Sequence, residues 1–120
     1  MKKQKVIRLS NDIFEKISRD YGHSKYQPTI PYLSIEDSPY SDCDDPNCFG
    51  EYNKDENEIV IYWKNIHSRE DLIRTMLHEY QHYLQSNIWY SRYWSMGYGY
   101  VDHPYEVKAR TEEEKWEKYA

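Results

Sequence analysis

The sequence has few hydrophobic residues and no long apolar run. Hydrophobic residues make up 38% of the 120 positions, and the mean hydropathy is −1.09. No stretch of 18 or more apolar residues occurs, so we expect no transmembrane helix. The basic Met-Lys-Lys start is followed by polar Ser10-Asn11-Asp12, where a secretory signal would need its apolar core. These absences predict a cytoplasmic protein.

Cysteine is also scarce. The only two, Cys43 and Cys48, are separated by four residues, and no second pair of ligands lies near them to complete a zinc knuckle. We therefore interpret this stretch as an acidic turn with two free thiols, which suits a reducing compartment. The sequence also lacks internal repeats and low-complexity segments.

Aromatic residues, in contrast, are abundant, with 14 Tyr, 4 Trp and 2 Phe. Disordered chains are poor in aromatic side chains, which argues against disorder despite the low mean hydropathy. Each buried ring removes a large area from water, so a small chain can still form a core. Length and composition together predict one folded domain over residues 1–120.

The net charge of −5 is unevenly distributed. Residues 1–25 carry seven Lys or Arg against three acids, whereas residues 36–58 carry nine acids against the single Lys54. An acidic chain with one modest basic end argues against nucleic acid as the main partner. We interpret both blocks as solvated surface. The alternative is a basic arm that recruits the domain to nucleic acid or to a partner protein, but no helix-turn-helix signature accompanies it.

The first secondary-structure element is a predicted helix near residues 11–21. Ser10 is a suitable N-cap, apolar residues follow at helical spacing, and Gly22 is a suitable end. Residues 6–9 are compatible with a short strand or with the lead-in to this helix. Its apolar side chains are expected to belong to the core.

Residues 49–63 have the pattern of a β-hairpin. Strands at 49–52 and 58–63 flank a turn-forming segment, Asn53 to Asn57. The second strand consists of β-branched and aromatic residues, so we expect both of its faces to be covered. A further short extended piece is expected within residues 29–35. With the predicted helices, these strands give an α+β fold in which a small sheet packs on one long helix.

That long helix carries His78-Glu79-Tyr80-Gln81-His82, an H-E-x-x-H motif. Ser68 begins a capping-box pattern, which predicts a helix over about 69–87. Residues four apart share a helix face, so the two imidazoles can bind one metal ion, with zinc expected. Glu79 lies about 100° further round the helix, where it can accept a proton from a water that zinc acidifies. The alternative is an ordinary solvated helix surface.

A third metal ligand is expected from the last predicted helix. Glu106 lies 24 residues after His82, in the first turn of a helix that has Pro104 near its start. Its alternative role is to stabilise the helix N-terminus. His103 and Asp102 are rival ligands and also rival N-caps, and Asp102 is the better cap by residue type.

The two motifs together resemble a known family. His78-Glu-Tyr-Gln-His82 followed by His103-Pro-Tyr-Glu-Val-Lys-Ala-Arg110 resembles the small gluzincin-type zinc metallopeptidases of bacteria and phages. The resemblance covers about residues 49–115 and leaves residues 1–48 without an assigned role. It implies a minimal zincin-like domain with one zinc ion and the following roles: His78, His82 and Glu106 as ligands, Glu79 as general base, and Ala109 as a small residue that lets the two ligand helices approach.

The function implied by this resemblance is hydrolysis of peptide bonds in a peptide or protein substrate. Strand 58–63 is expected to hold an extended substrate by β-augmentation, provided that it is a sheet edge. A further hydrogen-bond donor for the oxyanion is expected, and its candidates are Tyr98, Tyr100, His103 and Arg110. The aromatic loop predicted over residues 88–100 either lines the cleft or completes the core. The alternative function is a non-catalytic zinc-binding or protein-interaction module on the same fold.

Overall fold

A computed structural model describes residues 1–37 and 48–120 of the chain. Within these ranges the fold is α+β, as predicted, with four α-helices and one three-stranded sheet. The elements in chain order are α1 (Lys3–Tyr21), β1 (Tyr32–Glu36), β2 (Gly50–Asn53), β3 (Glu58–Tyr62), α2 (Arg69–Leu84), α3 (Asn87–Ser95) and α4 (Pro104–Glu113). Short 3₁₀ turns follow β3 and α4, at Trp63–Asn65 and Trp116–Tyr119. None of the described helices has the length and apolar character needed to cross a bilayer.

Helix α1 begins eight residues earlier than expected, at Lys3 instead of residue 11. Residues 6–9 are helical, so Ser10 lies inside the helix and is not its N-cap. The predicted end at Gly22 is confirmed, where φ is +76° and the backbone N–H donates to the Ser18 carbonyl. The early start follows from one continuous buried stripe at helical spacing. Its members are Val6, Leu9, Ile13 and Ile17.

The sheet is mixed, with strand order β1-β3-β2. The predicted hairpin is confirmed: β2 pairs antiparallel with β3, and β1 adds a parallel strand on the other side. Strand β3 is therefore central, and its residues are almost all buried, as predicted. The expectation that β3 holds a substrate strand is wrong, because both of its edges are paired. In the described part of the sheet, β2 is an edge.

Helix α2 forms the centre of the core. Its start is confirmed by the Ser68 hydroxyl, which accepts a hydrogen bond from the Asp71 N–H at 3.1 Å. It ends at Leu84, three residues before the expected end. Its apolar face packs against α1 and the sheet. The fully buried residues of this face are Leu72, Ile73, Met76, Leu77, Tyr80 and Tyr83.

Residues 87–95 form helix α3, which corrects the prediction of a loop over 88–100. The Ser86 hydroxyl caps this helix by accepting from the Trp89 N–H at 3.2 Å, and Gly97, with φ of +100°, follows its end. Tyr and Trp have modest helix propensity, and no residue of α3 is fully buried. The segment therefore has neither high helix propensity nor the apolar stripe of a helix that packs on a core. The local cap and ring contacts stabilise it instead. The loop begins only after Ser95.

The thiol prediction is partly corrected. Cys48 is disulfide-bonded, so the expectation of a free thiol is wrong at this position. Cys43 and the acidic turn around it lie in residues 38–47, outside the described part of the chain.

A buried carboxylate ties α4 to α1. The Glu112 side chain is 2% exposed; it accepts from the Tyr21 hydroxyl at 2.6 Å and from the ammonium groups of Lys108 and Lys115 at 2.7 and 2.9 Å. Burial alone would raise the pKa of Glu112, but these three hydrogen bonds lower it to about 2, from an ordinary value of 4.5. The ionised carboxylate therefore stabilises the folded state.

We expect Glu112→Gln to lower the free energy of unfolding by about 1–3 kcal/mol at neutral pH, because a buried charge-assisted cluster loses its anion. The folded pKa is depressed, so this contribution is complete above about pH 4.5 and is lost as the pH falls towards 2. Urea unfolding at a series of pH values measures both effects. Glu117→Gln, at an exposed position, is the control. Equal stability of the two variants at neutral pH would contradict the assignment.

Candidate metal centre

Three of the predicted site residues converge between α2 and α4. His78 and His82 share one face of α2, with ring centroids 5.0 Å apart, and each side chain is 13% exposed. Glu106, in the first turn of α4, points between them. Its Oε2 lies 3.3 Å from His78 Nε2, and its Oε1 lies 3.2 Å from His82 Nε2. One potential ligand atom from each of the three residues lies within 4.8 Å of the other two.

The start of α4 places Glu106 and separates it from its rivals. His103 is the N-cap: its Nδ1 accepts from the Tyr105 N–H at 3.1 Å, and its Nε2 donates to the Tyr90 carbonyl at 2.9 Å. The expectation that Asp102 is the better cap is wrong, because its carboxylate accepts from the Gly99 N–H instead. Neither His103 nor Asp102 belongs to the group formed by Glu106 and the two histidines.

The outer nitrogen of each histidine has its own acceptor. His78 Nδ1 lies 2.7 Å from Glu113 Oε2, and His82 Nδ1 lies 2.8 Å from Gln85 Oε1. The Gln85 amide is oriented by its NH₂ group, which donates to the Tyr105 carbonyl at 3.0 Å. A carboxylate or amide oxygen can only accept, so each Nδ1 carries the proton. In the neutral rings both Nε2 lone pairs therefore face Glu106.

The residues present fit a zinc-type ion. Zinc bonds of about 2.0–2.1 Å in tetrahedral geometry place neighbouring ligand atoms about 3.3 Å apart. The two imidazole–carboxylate distances, which run to separate oxygens of Glu106, are 3.3 and 3.2 Å, and one ligand atom from each of the three residues lies within 4.8 Å of the others. With neutral imidazoles, the buried Glu106 Oε2 has no hydrogen-bond donor, because the His78 Nε2 that faces it at 3.3 Å then carries a lone pair. Buried polar atoms are normally satisfied, and a cation is a partner that this oxygen can take. Two imidazoles and one carboxylate also form a typical catalytic zinc ligand set.

The electrostatics of the cluster favour positive charge. Burial alone would lower the pKa of His78, but Glu106 and Glu113 raise it to about 10. The pKa of Glu106 shifts the opposite way: burial opposes ionisation, yet the hydrogen bonds with the two histidines hold the pKa well below 4.5. The cluster thus binds protons when no metal competes for the same lone pairs.

Glu79 borders the same cavity without joining the ligand group. The cavity has a volume of about 290 Å³. Burial raises the pKa of the Glu79 carboxyl above its ordinary value, although the neighbouring histidines oppose the shift. A carboxyl whose pKa is moved towards neutrality is suited to proton transfer. The cavity is lined by the three ligand candidates, by Gly50, Glu51, Tyr52 and Lys54 from the hairpin, and by Gln85, Ser86, Asn87, Tyr90 and Tyr100.

Of the four oxyanion-donor candidates, Tyr100 is the one that lines this cavity. Tyr98 lines a separate, shallow depression, and His103 is completely buried. Arg110 donates its guanidinium N–H groups to the carbonyls of Tyr100 and Val101, and its guanidinium also lies over the Tyr100 ring. Arg110 therefore holds the Tyr100 loop against α4.

Gly50 brings the edge strand β2 close to α2. A Cβ at this position would lie 2.6 Å from the Val60 carbonyl oxygen and 2.8 Å from the Thr75 methyl group. Both distances are too short for a side chain, so only glycine permits this approach. The backbone of β2 consequently lies beside the cavity.

Three residues around the ligands were missed by the sequence analysis: Glu113, Gln85 and Tyr90, whose hydroxyl donates to Glu106 Oε1 at 2.7 Å. Glu113 follows Glu106 by seven residues, two helical turns, so its position on the same face was available from spacing. Gln85 is three residues after His82 and was also accessible. Tyr90 lay in the aromatic segment that was expected to be a loop and either to line the cleft or to complete the core, but its contact with Glu106 was not predicted.

Comparisons with protein-family models, with curated proteins and with solved structures give no match to this chain.

We expect Gly50→Ala to lower the free energy of unfolding by about 1–3 kcal/mol, because the added methyl group has no room between β3 and α2. Thermal and urea unfolding measure this effect. Gly99→Ala is the matched control, since its Cβ would meet its nearest atom at an ordinary 3.6 Å. If the two variants are equally stable, the close approach of β2 is not a constraint.

We expect the purified protein to bind about one zinc ion per chain. Removing a ligand by His78→Ala or Glu106→Ala should weaken zinc binding by more than about 100-fold, which exceeds the usual effect of an outer partner. Asp102→Asn should leave the affinity unchanged, because this carboxylate lies outside the ligand group. Metal analysis and competition with a chromophoric chelator provide the measurement. Full zinc retention in Glu106→Ala would exclude Glu106 as a ligand.

Proposed function

We propose that this protein is a zinc-dependent metallopeptidase of the gluzincin type, which hydrolyses peptide bonds. The observation that carries the proposal is the convergence of His78, His82 and Glu106 at one end of a cavity that Glu79 also borders. Three ligand candidates and one carboxyl outside the ligand group, on the same cavity, are the parts that metal-assisted hydrolysis requires.

When bound to the three ligands, zinc would acidify a water molecule and polarise the scissile carbonyl. The Glu79 carboxylate would take the proton from that water and then deliver it to the leaving amine. Burial raises the pKa of Glu79, which makes the protonated form less costly and so favours this exchange near neutral pH. The Tyr100 hydroxyl is the proposed donor to the developing oxyanion.

The substrate would lie along β2. An extended peptide can bind alongside the outer strand of a sheet. β2 lies at the edge of the described sheet and contributes Gly50, Glu51 and Tyr52 to the cavity wall. This assignment replaces β3, whose backbone is paired on both sides.

The rival function is a zinc-binding or protein-interaction module without catalysis. Structural zinc sites are usually closed by four protein ligands, whereas catalytic sites keep one position open. Among the described residues, the group has three candidate ligands. The position of Glu79 beside them also favours catalysis, since a purely structural site needs no such carboxyl.

We expect Glu79→Gln to retain zinc and to lose hydrolysis by about 10²–10⁴-fold, because the amide cannot accept and return the proton. The zinc-loaded protein and this variant are incubated with a diverse peptide mixture, and cleavage products are identified by mass spectrometry. Glu70→Gln is the control, since Glu70 is on the same helix and pairs with Arg74. Zinc binding without turnover in the unaltered protein would favour the non-catalytic module.

A further inference from the structure

We propose that Glu113 is a positioning residue of the metal centre: its carboxylate orients the His78 ring, and its negative charge strengthens metal binding. The inference rests on the metal-binding part of the proposed function and does not require that the protein cleaves peptides. Glu113 would not contact the metal or the substrate; it would act through His78.

The contact between the two side chains is short and shielded. Glu113 Oε2 lies 2.7 Å from His78 Nδ1, and the two side chains are 24% and 13% exposed. A hydrogen bond to an ionised carboxylate at this distance is about twice as strong as a neutral one. Limited solvent access keeps the interaction from being screened by salt.

The neighbouring acids of α4 have different partners. Glu112 contacts Lys108 and Lys115, and Glu114 lies 4.0 Å from the Arg74 guanidinium. The contact of Glu113 is with His78. The three consecutive glutamates therefore contact different groups, and Glu113 is the one that contacts His78, a ligand candidate.

The spacing along α4 explains how one helix serves the site twice. Glu106 and Glu113 are seven residues apart, and Ala109 lies between them on the same face. Ala109 is completely buried. Its small side chain permits the close packing of α4 on α2. The same helix–helix contact therefore places both Glu106, a ligand candidate, and Glu113, the acceptor for His78 Nδ1, beside α2.

The two histidines differ in the charge of their acceptors. His82 is held by the neutral amide of Gln85, whereas His78 is held by a carboxylate. An anionic acceptor makes the imidazole a stronger electron donor at its other nitrogen. The Glu113→Gln variant gives His78 the same kind of acceptor that His82 has, and so removes the charge while it keeps a hydrogen-bond acceptor.

The test is zinc affinity, measured by chelator competition on the full chain. We expect Glu113→Gln to weaken binding by about 10–100-fold, and Glu113→Ala to weaken it further because the ring also loses its acceptor. The matched control is Glu114→Gln, which removes one negative charge from the adjacent position, where the side chain is 75% exposed. Its zinc affinity should stay unchanged.

A second measurement separates positioning from a general effect on folding. In the zinc-loaded protein labelled with ¹⁵N, the His78 Nδ1 proton should give a downfield resonance, typical of a bond to a carboxylate. This resonance should move upfield in Glu113→Gln, whereas that of His82 should stay in place. The far-UV circular dichroism spectrum of the metal-free variant should match that of the metal-free unaltered protein, which shows that the fold is retained.

The possible failures are distinguishable. If Glu113→Gln binds zinc as tightly as Glu114→Gln, or leaves the His78 resonance in place, the role of Glu113 is refuted while the metal site stands. If the unaltered protein binds no zinc, both the inference and the proposed function fall. If zinc binds as described and no peptide is cleaved, only the peptidase proposal fails.

Discussion

The packing of α4 against α2 is the contact on which the rest of the site depends. It buries Ala109 completely and places Glu106 within 3.3 Å of both imidazole Nε2 atoms. A carboxylate is costly to bury without partners. The two histidines of α2 and the Tyr90 hydroxyl of α3 supply those partners. Any change that separates the two helices would therefore move Glu106 away from the two histidines.

Acidic groups on α4 are stabilised in two different ways. Glu112 is paired with two lysine ammonium groups and accepts from a tyrosine hydroxyl, so its pKa is low and it is ionised at neutral pH. Glu106 is instead matched by two titratable imidazoles, which lie 3.3 and 3.2 Å from its two oxygens. The first arrangement holds the fold together independently of any ligand. In the second, the charge balance depends on the protonation of the two imidazoles.

Secondary structure was predictable where local signals agree with burial. The capping pattern at Ser68, the glycine at the end of α1, and the turn with the β-branched strand of the hairpin each identified an element correctly. Helix α3 was not predicted because none of its residues is fully buried, so no apolar stripe at helical spacing marks it. The central position of β3 could not be predicted from local patterns either, because it depends on pairing with β1, which lies more than twenty residues earlier in the sequence.

For the candidate site, the sequence alone determined that two histidines share a helix face and that Glu79 stands beside them, because helical spacing fixes both relations. It left the third member open among Glu106, His103 and Asp102, which are too close in the chain to separate by spacing. Tertiary structure decided that choice by using the His103 ring as the helix cap and by turning Glu106 towards α2. It also supplied the acceptors of the outer nitrogens and the edge strand, since these come from segments that meet only when the chain is folded.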